Sequence, residues 1–379
     1  MTAEPLSPDD LRAVFDSTDA YTVGLEEEVM LLEPETLALT PAAEEVLARV
    51  NGDPRFKAEL PASQVEIVTE PVHRAHDAVG ALMQARRDLA QRTEGLVRLG
   101  VAGTHPFSSG IGELSRLPRY ERTIREYGPV AARELVCALQ VHVSLGDADR
   151  ALAVHDAARS FLPLLAALAA NAPFYEGRDT GLASVRPKLA ELLPRHGVPP
   201  PLRSWDEYAS ALSWGAATGA FPDSSTWWWE LRLHPGFGTL ELRVPDGQTT
   251  VADVEAIVVI AHALVRWLGD RHDAGERLRV DPAWKIAENS WSACRWGVEG
   301  TMIDLASASV RSTRECLSEL LDELEPTAAL LAAPATALSH ARQLIERNGA
   351  ISQRLVAADG GVSAVAGWLA GRFPEPWGG

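Results

Sequence analysis

Residues 21–32 read Tyr-Thr-Val-Gly-Leu-Glu-Glu-Glu-Val-Met-Leu-Leu, and the reading of this stretch decides the fold. Apolar residues alternate through it: Tyr21, Val23, Leu25, Val29 and Leu31 share one side of an extended chain, while Gly24, Glu26 and Glu28 share the other. One face can enter a core while two carboxylates project together from the opposite face. Side chains at i and i+2 of a strand stand roughly 7 Å apart, close enough for two acids to share one or two cations. Glu27 interrupts the apolar side, which predicts a strand edge or a bulge there. Taken alone, three consecutive glutamates read as a solvated strand edge. What changes this reading is that the pattern recurs.

Four later stretches alternate in the same way. In Gln64–Glu70, Val65 and Ile67 oppose Gln64, Glu66, Val68 and Glu70. Cys137–Gly146 sets Cys137, Leu139, Val141, Val143 and Leu145 against Gln140, His142 and Ser144. Trp227–His234 puts Trp228, Glu230, Arg232 and His234 on one face. Thr239–Pro245 backs Thr239, Glu241 and Arg243 with Leu240, Leu242 and Val244. A merely wet sheet face would carry polar residues of mixed type. These faces collect Glu26, Glu28, Glu66, Glu230, Glu241, His142, Arg232 and Arg243. Two carboxylates about 4 Å apart repel by roughly 4 kcal/mol at an effective dielectric near 20, so converging acids need cations. Oxygen ligands suit Mg²⁺ or Mn²⁺, which take phosphate oxygens as further ligands, and arginine forks suit carboxylate or phosphate. Alternation shows that such faces could converge, without showing that they do.

The remaining periodicity predicts helices over 41–50, 75–99, 148–170, 251–268, 301–324, 326–347 and 363–372, with a short buried strand at Val101–Phe107. The segment 110–130 reads as a loop with a helix, and 174–226 as a long loop region of the kind that carries function or forms a lid. No repeat or low-complexity linker divides the chain. We therefore expect one α+β domain over 1–379, with a lead-in at 1–20 and a helical part at 301–379.

A formal net charge of −17 argues against nucleic acid and against an anionic membrane surface. Cys137, Cys294 and Cys316 are widely spaced and form no zinc or disulfide pattern, and the first ten residues are acidic and polar rather than a targeting peptide. No apolar run reaches the roughly 18 residues of a membrane span. The expectation is a cytoplasmic protein. Walker-type and G-x-G-x-x-G phosphate loops are both missing.

Nine pieces of this chain, in order, resemble the glutamate–cysteine ligase family of the bacterial carboxylate–amine ligase type, which is related to glutamine synthetase in fold. They are GLEEEV at 24–29, SQVEIVTE at 63–70, GTHPF at 103–107, RY at 119–120, CALQVHV at 137–143, NAPFYEGRDTGLASVR at 171–186, WWWELR at 227–232, TLELRVPD at 239–246 and ENSWSACRWGVEG at 288–300. The resemblance implies a curved antiparallel sheet forming a funnel, with helices packed on its outer face. It also implies ATP held with Mg²⁺ (Mn²⁺ as an alternative) between carboxylates, amino-acid and amine substrates, and a homodimer. The reaction implied passes through an acyl phosphate, formed on glutamate and then attacked by cysteine or another amine. By motif, Glu26, Glu28, Glu66 and Glu241 fall on metal-binding acids, with Gln140 as a further ligand. Arg243 falls on the arginine that meets the phosphoryl group, so Arg243 and Glu241 are the expected catalytic pair. His142, Arg186, Glu230 and Arg232 are the expected substrate or ATP contacts.

Two positions depart from the family pattern. Gln140 stands where relatives carry the first histidine of the G-x-H-V-H-V stretch, a metal ligand, and Glu230 stands where aspartate is usual. A guanidino-kinase-like phosphotransferase is the nearest alternative chemistry. A binding or regulatory homologue that has lost turnover is the alternative from another class, with Gln140 as its one hint. Residue by residue, His142 reads equally as hydrogen-bonded scaffold, the arginines at 116–125 divide evenly between a solvated face and nucleotide contact, and Trp227–Trp229 read as core.

Overall fold

The computed structural model describes residues 7–375, so residues 1–6 of the lead-in lie outside the described residues. Among the described residues, seven strands form an open antiparallel sheet in the order 56–58, 64–68, 23–32, 139–144, 239–242, 231–234, with 98–100 beside the far end of 23–32. The opening stretch is thus central rather than peripheral. Val23–Leu32 pairs with Gln64–Val68 on one side and with Leu139–Ser144 on the other.

Alternation does what the pattern demands. Val23, Leu25, Val29 and Leu31 are fully or almost fully buried in an apolar cluster that runs from Leu11 to Phe373. Helices cover this back face. Ala75–Arg92 lays its stripe Ala78, Val79, Leu82, Ala85 and Leu89 on the central strand. Val251–Asp273, started by a capping box of Thr250 and Asp253, is buried along most of its length. It packs against 75–92, 148–158, 313–330 and 335–346. The α+β class and the antiparallel sheet are as expected.

Glu27 is the first correction. It lies at neither an edge nor a bulge but in the core at 0% exposure, in register with Leu139 on one neighbour and Ile67 on the other. Arg86, a buried member of the Ala75–Arg92 helix, donates Nε to Glu27 Oε2 at 2.7 Å and Nη2 to Oε1 at 2.5 Å. The same guanidinium donates to the carbonyls of Gln248 and Thr249 and lies 5.0 Å from the Phe373 ring centroid. A buried acid is tolerated when its charge is matched and its lone pairs are filled.

Other boundaries move for local reasons. The helix from Ala75 stops at Arg92, capped by Thr93, and the strand comes at Arg98–Gly100 instead of Val101–Phe107. The stretch 148–168 is apolar and long enough to cross a membrane by composition, but it is packed inside and broken at Arg159–Phe161, just before Pro163. Residues 301–312 are a hairpin, because the Asp304 carboxylate accepts the N–H groups of Ala306 and Ser307 and turns the chain; the helix begins at Thr313. That helix continues through Pro326 to Leu330. Helices at Trp205–Thr218, Ala283–Trp296 and Gly349–Gly360 were not anticipated. For the first, the Ser204 hydroxyl accepts the Glu207 N–H, so its cap signal was present in the sequence.

Candidate active site

Strand register alone assembles the front face. Across four strands, Gly24 stands opposite His142, His142 opposite Glu241, and Glu241 opposite Arg232. One step along, Glu26 stands opposite Gln140, and Glu28 stands opposite Glu66. Acids from three of the five stretches, with Gln140, His142 and Arg232 from the other two, therefore meet on one surface.

Glu26, His142 and Glu241 present ligand atoms that all lie within 4.8 Å of one another. His142 Nε2 is 3.7 Å from Glu26 Oε1 and 3.9 Å from Glu241 Oε1, too far for hydrogen bonds, and it finds no partner among the described residues. Its Nδ1 meets Thr239 Oγ1 at 3.0 Å, which fixes the ring. A buried, unpartnered imidazole nitrogen aimed between two carboxylates fits a divalent cation. The mixed oxygen and nitrogen set accepts Mn²⁺ as readily as Mg²⁺.

Glu241 is fully buried and doubly matched. Arg232 donates Nε to Oε2 at 2.6 Å and Nη2 to Oε1 at 3.0 Å, and Arg243 Nη1 also reaches Oε1. Burial alone would raise this carboxyl, but the two arginines outweigh it and hold it well below the usual carboxylate range. Arg232 is further anchored by the carbonyls of Ser224, Ser225 and Trp227. Its fork holds Glu241 in place.

Glu28 and Glu66 shift in the opposite direction. Glu28 accepts the Ala138 N–H at 2.6 Å and the Gln140 amide at 3.1 Å, while the Gln140 carbonyl accepts from Arg243 Nη1. Gln140 therefore bridges an acid and a cation where the family pattern has an imidazole. Burial pushes the Glu28 carboxyl up. Burial, then the nearby Glu59, Glu26 and Glu28, pushes Glu66 well above its ordinary range. Two further acids were missed by the sequence reading. Glu59 is pushed up to about 8 by burial and by Glu28. Glu134 is pushed up to about 8 by burial and by Glu28, and its Oε2 has no partner among the described residues. Both lie outside the strands, where alternation carries no signal.

Beside this cluster opens a cavity of about 360 Å³, whose wall includes Glu28, Glu59, Glu134, Arg119, Arg186 and Arg243. Of the residues at 116–125, Arg119, Tyr120 and Thr123 reach it. Trp227 packs in the core, as expected, whereas Trp228 lines the cavity and stacks on His196 with ring centroids 5.7 Å apart. Arg186 donates Nε to Asp246 Oδ1 at 2.8 Å and Nη2 to the carbonyls of Val244 and Arg243. Asp246 also accepts the Asn171 N–H at 2.7 Å and the Ser184 hydroxyl at 3.0 Å. A Cβ at residue 103 would come within 2.8 Å of Asp246 Cγ and Ala172 Cβ, so only glycine fits. Three of the motif pieces, 103–107, 171–186 and 239–246, thus converge on one buried knot behind the cavity.

The profile of the glutamate-cysteine ligase family 2 (GCS2) matches residues 22–366. A Rubrobacter xylanophilus protein, provisionally named glutamate–cysteine ligase 2-3, is 35% identical over 94% of this chain and 98% of its own. A Gloeobacter violaceus protein with a provisional glutamate–cysteine ligase 2 name is 32% identical over 90% of this chain and 94% of its own. Among solved structures, the fold is similar to a glutamate–cysteine ligase of Francisella tularensis in complex with AMP, with TM-score 0.67 and 12% identity over 94% of this chain and 89% of that one. It is also similar to a bifunctional glutathione synthetase of Pasteurella multocida, with TM-score 0.64 and 15% identity over 97% of this chain and 53% of that one. The chain belongs to glutamate-cysteine ligase family 2, and it is an ATP-dependent ligase that joins a carboxylate to an amine.

Proposed function

We propose that the chain activates the γ-carboxylate of glutamate with ATP and transfers the acyl group to an amine, working as one cytoplasmic domain. The observation that carries this reading is the front-face row in which unpartnered His142 Nε2 lies between Glu26 and Glu241, with Arg243 alongside. Glu26, His142 and Glu241 would hold one divalent cation, and Glu28, Glu66 and Glu59 would hold others. Such ions neutralise charge on the triphosphate when bound.

In the first step a carboxylate oxygen of the donor bonds to the γ-phosphorus, the bond to the bridging oxygen breaks, and ADP leaves with that electron pair. Next, the amine nitrogen bonds to the acyl carbon, the carbon–oxygen bond to phosphate breaks, and inorganic phosphate departs as the nitrogen gives up its proton. Arg243, a fixed cation on the floor of the cavity, supports the charge that develops on the transferring phosphoryl and on the tetrahedral carbon. Arg232 keeps Glu241 ionised and oriented.

The test is ADP release from ATP and Mg²⁺ with glutamate across a panel of amines, with any amide identified by mass spectrometry. ADP and amide that both vanish in Glu28→Gln support the ligase. ADP without an amide, together with a phosphorylated acceptor, replaces it with the phosphotransferase. Turnover that appears only in Gln140→His replaces it with the non-catalytic reading.

A further inference from the structure

A second cavity of about 320 Å³ lies against the first, and Pro187, His196, Gly197 and Glu230 line both. Its outer wall comes from the Ala283–Trp296 helix, whose residues Ala287, Ser290 and Cys294 fall at helical spacing on one side, with Trp284 exposed beside them. Three buried polar atoms on its wall have no partner among the described residues: Glu230 Oε2, His196 Nε2 and Ser290 Oγ. Buried polar groups are as a rule hydrogen-bonded, so three in one small cavity mark a place for a ligand.

The charges of the cavity narrow the ligand. Asp246 is engaged by Arg186 at 2.8 Å, and Lys188 by Glu191 at 2.6 Å. Glu230 is left without a salt bridge among the described residues, and burial, against the pull of Arg186, pushes its carboxyl up to about 7. His196 is kept neutral, its imidazole lowered to about 3 by burial and by Arg243, Arg186 and Arg195. The open valence of the chamber is therefore a single carboxylate. Pro187, Val198, Val244 and Ala287 give the rest of the wall an apolar character. Glu230 also adjoins the phosphoryl side, since the Arg243 N–H donates to the Glu230 carbonyl at 2.8 Å across the strand pair.

We propose that this second cavity is the acceptor chamber, and that it takes a compact primary ammonium lacking a carboxylate, with the nitrogen on Glu230 and a short neutral tail ending in a hydrogen-bonding group at Ser290. An α-amino acid would bring an anion into a chamber whose unmatched charge is already negative. The inference rests on the ligase reading above.

Matched nucleophiles test it: cysteamine against cysteine and ethanolamine against serine, each pair differing only by the carboxylate. Glutamate, ATP and Mg²⁺ are held constant, and hydroxylamine serves as a nucleophile small enough to need no chamber. The expected result is a kcat/KM at least tenfold higher for cysteamine and ethanolamine than for cysteine and serine. In Ala287→Trp, which fills the chamber from a solvent-facing helix position, kcat/KM for cysteamine should fall at least tenfold relative to that for hydroxylamine. A preference for cysteine or serine, or an equal effect of Ala287→Trp on hydroxylamine and cysteamine, overturns the chamber while leaving the ligase in place. Absence of both hydroxamate and ADP overturns the ligase reading and this one with it.

Discussion

Arg232 grips both oxygens of Glu241 from the directly opposite position on the neighbouring strand, and Glu241 has no exposed surface. The pair therefore supports the fold and, in the ligase reading, would also orient one ligand of a cation site. Removing one member of a buried pair typically costs about 3–5 kcal/mol, and losing a partner that orients a ligand weakens metal affinity by roughly 10–100-fold. Arg232→Ala should lose both, seen as a lowered Tm and as weaker Mn²⁺ binding by electron paramagnetic resonance. Arg232→Lys should recover part of the stability and little of the affinity, because a point charge cannot reproduce the two-point fork.

The acid cluster predicts how stability and cations are linked. Glu59 and Glu134 titrate near 8 in the folded chain, well above their ordinary value of 4.5. The folded state then holds more protons than the unfolded state between these limits, so stability falls as pH rises from about 4.5 to 8. Cations held between the carboxylates, as the ligase reading has them, would remove that penalty. Mg²⁺ or Mn²⁺ should raise Tm more at pH 8 than at pH 6, as differential scanning calorimetry would report; an equal shift at both values would separate the cluster from cation binding.

His105 works with the opposite sign. Burial lowers its imidazole to about 4, and its Nδ1 accepts the N–H groups of Phe107 and Ser108 while Nε2 donates to the Leu37 carbonyl. Protonating Nδ1 would break two hydrogen bonds. Between about 4 and 6.5 the unfolded chain binds a proton that the folded chain refuses, so stability rises with pH through that window by about 1.4 kcal/mol per unit. Urea unfolding of His105→Gln across pH 4–6.5 should show a slope shallower by about that amount.

The buried pair of Glu27 and Arg86 gives a further prediction. Arg86→Met alone strands a carboxylate in the core and should lower unfolding free energy by about 3–5 kcal/mol in urea. The double change Glu27→Leu with Arg86→Met should be less damaging than the single one, since no charge is then stranded.

These residues also show what the sequence made legible. Strand alternation is a local property, so Glu26, Glu28, Glu66, Gln140, His142, Glu241 and Arg243 could be assigned to polar faces from their neighbours alone, and the register then brought them together. Glu59 and Glu134 sit outside regular strands and reach the cluster only through tertiary packing, which no period encodes. The partner of Glu27 was likewise unreadable: Arg86 lies 59 residues on, within an otherwise apolar helical stripe. At 301–312 a helix reading failed because one side chain, Asp304, redirects the backbone. The helix at Trp205–Thr218 had a readable cap in Ser204 and Glu207, obscured by the glycine- and proline-rich sequence around it.

Three consecutive glutamates on a strand carry a hazard that the Glu27–Arg86 pair resolves. A slip of one residue would carry Glu26 and Glu28 into the core and turn Glu27 out to the front, with the apolar residues inverted as well. The back of the sheet offers one guanidinium at this point, and it accommodates one acid. Arg86 thus acts as a gauge for the central strand: only the alignment that buries a single glutamate satisfies it, and that same alignment delivers the other two to the acidic front face.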